Sequence, residues 1–304
     1  MSDADRACLI DASIYIFRAW FSLPDNWHSP AGQPLNAVYG YSKFLLDFLQ
    51  QAGRPRYCAA AFDESLGTCY RNDIYANYKA SRELPDEALA YQLQTCRKIT
   101  ALLGVPCFGG PRYEADDYLA SLAWLLRRDA VPVTIVTRDK DLGQLLLSPG
   151  DAWWDFSADV VLDAAGFQRK FAVQPQQFAD YLALVGDPVD DIPGVPGVGA
   201  KTAARLLQQF PSLDALEAGL EQVAELDIRG ATRVQQRLRE HWPQVRLARQ
   251  LTCLEERIPE LDELSPFILR QQDVQQVADY LTELGIGGPL LRRYQQLAHS
   301  LEAA

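Results

Sequence analysis

PVTIVTRDKD, residues 132–141, is a β-rich run that ends in two acids, Asp139 and Asp141. A short run of this kind reads as a buried parallel strand with its carboxylates at the C-terminal end. The same grammar recurs in ACLI before Asp11 and in YCAAAF before Asp63. Strands that each end in a carboxylate point to one common edge, and open α/β sheets build their sites at that edge. Two further clusters add to it: Glu114, Asp116 and Asp117 in YEADD, and Asp187 and Asp190 in GDPVDD. Acids converging in this way repel and raise one another's pKa unless cations sit among them.

Working outward, strands are expected near 7–12, 57–63, 105–108, 132–138 and 152–156, and helices near 36–51, 86–103, 114–128 and 140–147. This alternation predicts an α/β core with a mostly parallel central sheet flanked by helices. VLDAAGFQRKF and PQQFADYLALVG read as helical, and no convincing strand follows. The expected division is a core over 1–165 and a helical part over 166–304.

The donor set narrows the chemistry. The three histidines, His28, His241 and His299, lie away from the acid clusters, and the six cysteines form no CxxC pair. Zinc and iron–sulfur sites are therefore disfavoured. Oxygen-only ligation at ExDD and DxD spacings suits a pair of magnesium or manganese ions, the usual device for phosphodiester cleavage. The 304 residues carry a net charge of −11, which two divalent ions bring only to −7, so nucleic acid has to be held by local basic patches. No apolar run approaches a membrane span and MSDADRA is no signal peptide, so a cytoplasmic protein with reduced thiols is expected.

Two basic patches stand out. Arg71, Lys79, Arg82, Arg97 and Lys98 alternate with Tyr70, Tyr75 and Tyr78, and YRNDIYANYKASRELP carries too poor an apolar stripe to pack on a core. The second patch holds Arg229, Arg233, Arg237, Arg239, Arg246 and Arg249, a pattern equally fitting for an ordinary solvated helix face. Between the patches lies GVPGVGAKTA. Gly194, Gly197 and Gly199 permit a tight turn, and Lys201 and Thr202 open the next helix. A glycine turn leading into a helix N-terminus cradles phosphate through free amides and the helix dipole. A β-branched residue at Gly197 or Gly199 is expected to strain that cradle.

LIDASIYIFRAW, AFDE, YRNDIYANYKASR, YEADDYLASLA, TRDKDLGQLL and GDPVDDIPGVPGVGAKTAARLL occur in an order that resembles the 5′ nuclease domain of bacterial DNA polymerase I and its stand-alone relatives in the flap-endonuclease superfamily. The resemblance spans roughly residues 6 to 295, and with no polymerase segment following, a free-standing, monomeric enzyme is expected. It implies a PIN/flap-endonuclease-like fold acting on DNA with 5′ single-stranded ends or flaps, in primer removal and repair. Asp11, Asp63, Glu114, Asp116 and Asp139 would serve one ion, and Asp139, Asp141, Asp187 and Asp190 the other, with Asp117 in support. The segment about 70–86 resembles a helical arch in which Arg71, Lys79 and Arg82 steer the scissile phosphate; Arg18 matches a further basic position. The glycine turn would belong to a helix-three-turn-helix element, about 178–210, that grips duplex DNA, often with potassium bound. Tyr70 stands where phenylalanine is usual, and Asp191 where asparagine is. The alternatives are a PIN-type ribonuclease, which needs neither glycine turn nor long helical part, and a non-catalytic DNA-binding scaffold, which would have lost ligands.

Overall fold

The computed structural model describes residues 6–53, 55–263, 267–270 and 273–302. Its strands are β1 (Ala7–Asp11), β2 (Tyr57–Ala61), β3 (Cys107–Phe108), β4 (Val133–Val136), β5 (Ala152–Asp155) and β6 (Val160–Leu162). Its helices are α1 (Ala12–Ser22), α2 (Asn36–Ala52), α3 (Tyr70–Ile74), α4 (Glu87–Leu102), α5 (Ala115–Arg128), α6 (Ala164–Phe171), α7 (Phe178–Val185), α8 (Ala200–Gln209), α9 (Leu213–Ala218), α10 (Ala231–Thr252), α11 (Val274–Glu283) and α12 (Gly288–Glu302). Among the described residues no helix is long and apolar enough to cross a membrane.

The strands form one sheet in the order β3-β2-β1-β4-β5-β6, parallel except for the β5–β6 pair. Register follows from strand alternation. Leu9 pairs with Ala59 and Ile135 and shares their packing beneath α5, whereas Ile10 pairs with Ala60 and Val136 and packs on the opposite face with α1, α2 and α4. With both faces covered, β1 and β4 are buried throughout. The chain winds from β1 to β2 on one side and from β4 to β5 on the other. The strand order therefore reverses between β1 and β4, and a crevice opens beyond their C-terminal ends.

Four local differences from the sequence reading have physical causes. Val161 and Leu162, expected as the start of a helix, belong with Val160 to a strand that pairs antiparallel with β5; the helix begins only at Ala164, after Asp163 caps it by accepting from the Gly166 amide at 2.7 Å. The helix expected near 140–147 is a single 3-10 stretch, Asp141–Leu145. The strand expected near 105–108 shortens to Cys107–Phe108. Helix α1 follows β1 without a loop, because Asp11 both ends the strand and caps the helix. The helical sequence after residue 166 also divides. Helices α6 to α10 enclose their own apolar cluster, with Phe178, Leu206, Leu238 and Trp242, while α11 and α12 return to α2 and α4 through Leu281 and Tyr294.

Candidate active site

The crevice is built from strand ends. Asp11 Oδ1 accepts from the Ile14 amide at 3.3 Å as the cap of α1, and its Oδ2 accepts from the Thr137 hydroxyl at 2.8 Å, just past β4. The same hydroxyl accepts from the Asp139 amide at 2.9 Å, so one threonine aligns an acid from each side of the strand-order reversal. The Asp141 amide donates to Asp139 Oδ1 at 2.8 Å, and the Trp153 indole donates to the Asp139 carbonyl at 2.7 Å. Asp63 follows β2; its amide donates to Ser13 Oγ at 2.8 Å, and its carboxylate accepts from Ser65 Oγ at 3.0 Å. Glu114 opens α5, which carries Asp116 in its first turn. Asp187 arrives from the loop after α7 and folds back through paired backbone bonds with Ile192 at 2.9 Å.

Eight of the nine expected acids, Asp11, Asp63, Glu114, Asp116, Asp139, Asp141, Asp187 and Asp190, line one cavity of about 280 Å³. Asp117 does not line it. It is fully buried and takes both ends of the Arg71 guanidinium at 2.7 Å. Donor atoms of Cys69, Glu114 and Asp117 also lie within 4.8 Å of one another. That spot is no ion site, because Arg71 Nη1 hydrogen-bonds to all three and fills it.

The electrostatics match such a cluster. Burial, offset in part by the Thr137 hydrogen bond and reinforced by Asp139, leaves the Asp11 carboxyl pushed up to about 7. Asp141 is likewise pushed up to about 7, by burial and then by Asp139, and Asp116 is raised well above the ordinary range by burial, Asp139 and Asp11. Glu114 moves the other way: burial opposes ionisation, but Lys79 and Arg71 outweigh it and lower its pKa. Protein cations stand among the acids. Lys79 contacts Glu114 and lies 3.8 Å from Asp190, Arg82 pairs with Asp190, and Lys140 reaches Asp141 at 3.1 Å and Asp187 at 3.2 Å.

The arch segment corrects one expectation. Arg71 cannot steer a phosphate from where it sits, since it is 1% exposed and spends its donors on acids and on the Leu251 and Cys253 carbonyls. Tyr78 is buried as well and donates to Glu114 at 2.8 Å, so this stretch packs against the protein at its base. Arg71, Tyr78, Lys79 and Arg82 all line the cavity, and of the three cations Lys79 and Arg82 are the more exposed. The Lys79 amide donates to Asp190 O at 3.0 Å and the Ser81 amide to Asp191 Oδ2 at 2.8 Å, which staples the arch to the loop carrying the last acid pair. Lys79 and Asp191 both adopt the left-handed region, at φ 52° and 56°. Such backbones cost about 1–3 kcal/mol each and persist where neighbours over-determine them. Arg18 is exposed on α1 and lies outside the cavity lining.

The glycine turn joins α7 to α8. Gly194 passes so close to the Val185 carbonyl that no Cβ fits, and Gly197 is left-handed at φ 76° against Arg237. Gly199 differs from expectation: it has an ordinary negative φ, and a Cβ added there would meet nothing within 4 Å. It is the N-cap of α8, and with Gly197 and Lys201 it is exposed, leaving the first amides of that helix open; Thr202 is half-buried. Of the second basic patch, Arg239 and Arg246 pair with Glu221 and Glu217, and Arg249 pairs with Asp180 at 2.9 Å. Arg229 and Arg233 are exposed.

Sequence reasoning missed three residues, Thr137, Lys140 and Gln244, and the role of Tyr78. Thr137 and Tyr78 orient acids, Lys140 balances them, and Gln244 holds the turn by donating to Gly194 O at 2.7 Å. Only Lys140 carried a local signal, its place between the two acids of DKD.

The donor set fits hard divalent ions. It is all carboxylate oxygen, and the buried Asp141 Oδ1 already has a cation beside it, the Lys140 ammonium at 3.1 Å. Comparisons with known proteins give the family. Residues 6–172 match the family model of the 5′-3′ exonuclease N-terminal resolvase-like domain, and residues 173–275 that of the 5′-3′ exonuclease C-terminal SAM fold. A 5′-3′ exonuclease of Aquifex aeolicus is 37% identical over 68% of this chain and 70% of its own length. DNA polymerase I of Rhizobium leguminosarum is 33% identical over 92% of this chain, which spans 28% of that longer protein. In fold the chain resembles T5 5′-exonuclease with divalent metal ions (zinc) bound, at a TM-score of 0.66 and 17% identity over 97% and 98% of the two chains. It also resembles the catalytic core of Rad2 in complex with DNA substrate, at 0.62 and 18% over 96% and 90%. With both family models matched in sequence and the acids gathered where the strand order reverses, the chain belongs to the 5′-3′ exonuclease family.

Proposed function

We propose that this protein is a structure-specific 5′ nuclease, a 5′-3′ exonuclease and flap endonuclease that hydrolyses DNA phosphodiesters with two magnesium or manganese ions. The observation that carries the reading is the single cavity lined by eight carboxylates with Lys79 and Arg82 among them. Divalent ions, when bound, supply Lewis-acid stabilisation of the attacking and leaving oxygens. Asp11, Asp63, Glu114, Asp116 and Asp139 would hold one ion and Asp139, Asp141, Asp187 and Asp190 the other.

The chain's own cations do the rest. Lys79 and Arg82 now neutralise Glu114 and Asp190. With divalent ions held at those acids, Lys79 and Arg82 would be free to meet the negative charge that develops on the scissile phosphate. Thr137 keeps Asp11 oriented, and Lys140 limits repulsion between Asp141 and Asp187. The duplex would be gripped through its backbone, by the amides that open α8 after Gly199 and by Lys201, without base preference. A potassium ion at this turn would be held by backbone carbonyls; those of Gly194, Val195 and Pro196 accept from Gln244, the Val198 amide and Arg237, and a carbonyl oxygen carries a second lone pair.

We divide the chain near residue 165 into nuclease core and helical duplex-binding part, with α11 and α12 assigned to the core. The substrate would be DNA with 5′ single-stranded ends or flaps, the setting primer removal and repair, and the enzyme a cytoplasmic monomer. A 5′-labelled flap incubated with magnesium and then with chelator tests this. Cleavage near the junction that stops with chelator is the expected result. Preferential cleavage of single-stranded RNA would favour a PIN-type ribonuclease, and binding without cleavage would favour a scaffold.

A further inference from the structure

Arg71 is the largest fully buried side chain among the described residues, and it joins two parts of the molecule. On one side it donates to Asp117 through both Nη atoms at 2.7 Å, and to Glu114 Oε2 at 3.0 Å. On the other side its Nε donates to Leu251 O at 2.9 Å and its Nη2 to Cys253 O at 2.8 Å. Those carbonyls close α10. The last carbonyls of a helix lack partners inside it and carry the negative end of its dipole, so a buried cation there is favourable. A return strap completes the clamp, as the Glu255 amide donates to Asp117 Oδ1 at 2.9 Å.

The same helix holds the glycine turn. Arg237 donates to Pro196 O at 2.9 Å and Gln244 to Gly194 O at 2.7 Å. From Arg237 to Leu251 is about 21 Å of helix at 1.5 Å per residue. One continuous helix, with Pro243 inside it, therefore contacts the turn near its middle and a cavity acid, through Arg71, at its end.

Resting on the nuclease reading above, we propose that Arg71 is a positioning residue: it fixes Glu114 relative to α10, so that this helix sets the distance between duplex grip and cutting site. Lysine would keep the charge but not the planar fork that meets two acids and two carbonyls together. A purely structural ion pair would only lower stability, and every activity would fall with it.

The test compares Arg71→Lys and Asp117→Asn with the wild type in three assays. Manganese affinity is titrated without DNA, duplex affinity is measured in chelator, and cut positions on a 5′ flap are mapped at a temperature where all proteins are folded. Manganese binding should weaken about 10- to 100-fold, as when groups supporting metal ligands are lost. Duplex affinity should stay within about threefold, and cuts should spread to neighbouring phosphodiesters. The double variant should bind manganese about as the weaker single variant does, because both changes open one clamp. Unchanged manganese affinity with sharp cutting would overturn the proposal, as would a parallel loss of duplex and manganese binding. If Arg71→Lys fails to fold, Asp117→Asn carries the same comparison. The manganese and duplex assays need no cleavage, so a wild type that left flaps intact would defeat the nuclease reading without hiding this result.

Discussion

The acid cavity and the glycine turn, the two places proposed to meet phosphate, are built from opposite materials. In the cavity, side chains supply the chemistry: carboxylates such as Glu114 and Asp187 are buried against cations from the same chain, and Asp11 is buried against the Thr137 hydroxyl. At the turn the backbone supplies it, and Gly197 and Gly199 leave amides exposed at the start of α8. Buried charge is costly unless paired, so the cavity is tense and responds to ions and pH. Exposed amides carry no such tension. The cavity should therefore govern rate, and the turn affinity.

The largest expected effect comes from Asp139→Asn. This acid lines the cavity, accepts from the Asp141 amide and would be shared by both ions. Flap cleavage should fall to background while duplex binding in chelator and the melting temperature hold; near-normal cleavage would remove the distinction between the two regions.

Next comes Lys79→Ala. Contacts made mainly as charge develops affect rate more than affinity, so single-turnover cleavage should slow about 10- to 1,000-fold with duplex affinity nearly unchanged. A variant that chiefly binds more weakly would move Lys79 to the affinity side of the comparison.

The turn itself is sharpened by two glycines. Gly197→Val must place a β-branched residue at φ 76° beside Arg237 and should weaken duplex binding about tenfold, with cleavage recovering at saturating enzyme. Gly199→Val meets open space and should fold without strain. Equal melting-temperature losses in the two variants would contradict this difference.

A smaller effect concerns pH. Asp11 and Asp141 ordinarily titrate at 3.8 and are pushed up to about 7 in the ion-free fold. Between those values the folded protein keeps protons that the unfolded chain has lost. Their stabilising contribution is thus complete below about pH 4 and disappears as pH rises through about 7. The melting temperature of chelated protein should fall between pH 5.5 and 8, and magnesium should restore it at pH 8. A chelated protein equally stable at both pH values would show that the carboxylates are not strained.

How much of this was legible in the sequence differs between the regions for the same physical reason. Strand-end acids are readable because a β-run followed by Asp has one meaning in a parallel sheet, and Asp11, Asp63, Asp139 and Asp141 follow from it, whereas Glu114, Asp116, Asp187 and Asp190 were readable from their clustering in YEADD and GDPVDD. Arg71 was not readable, because a cation in a tyrosine-rich stretch looks solvated until its partners arrive from residues 114, 117, 251 and 253. Gly199 was overread, since spacing alone cannot separate a glycine needed for φ from one that merely precedes a helix. The antiparallel β6 was lost because its valines run straight into the cap of α6.

The most direct measurement is a manganese titration, followed by electron paramagnetic resonance, of wild type and Asp139→Asn bound to cleaved flap product. Two spin-coupled ions in the wild type, reduced to one or to uncoupled weak sites in the variant, is the predicted result. Two tight, unperturbed ions in Asp139→Asn, or a single ion in the wild type, would contradict the shared two-ion cavity.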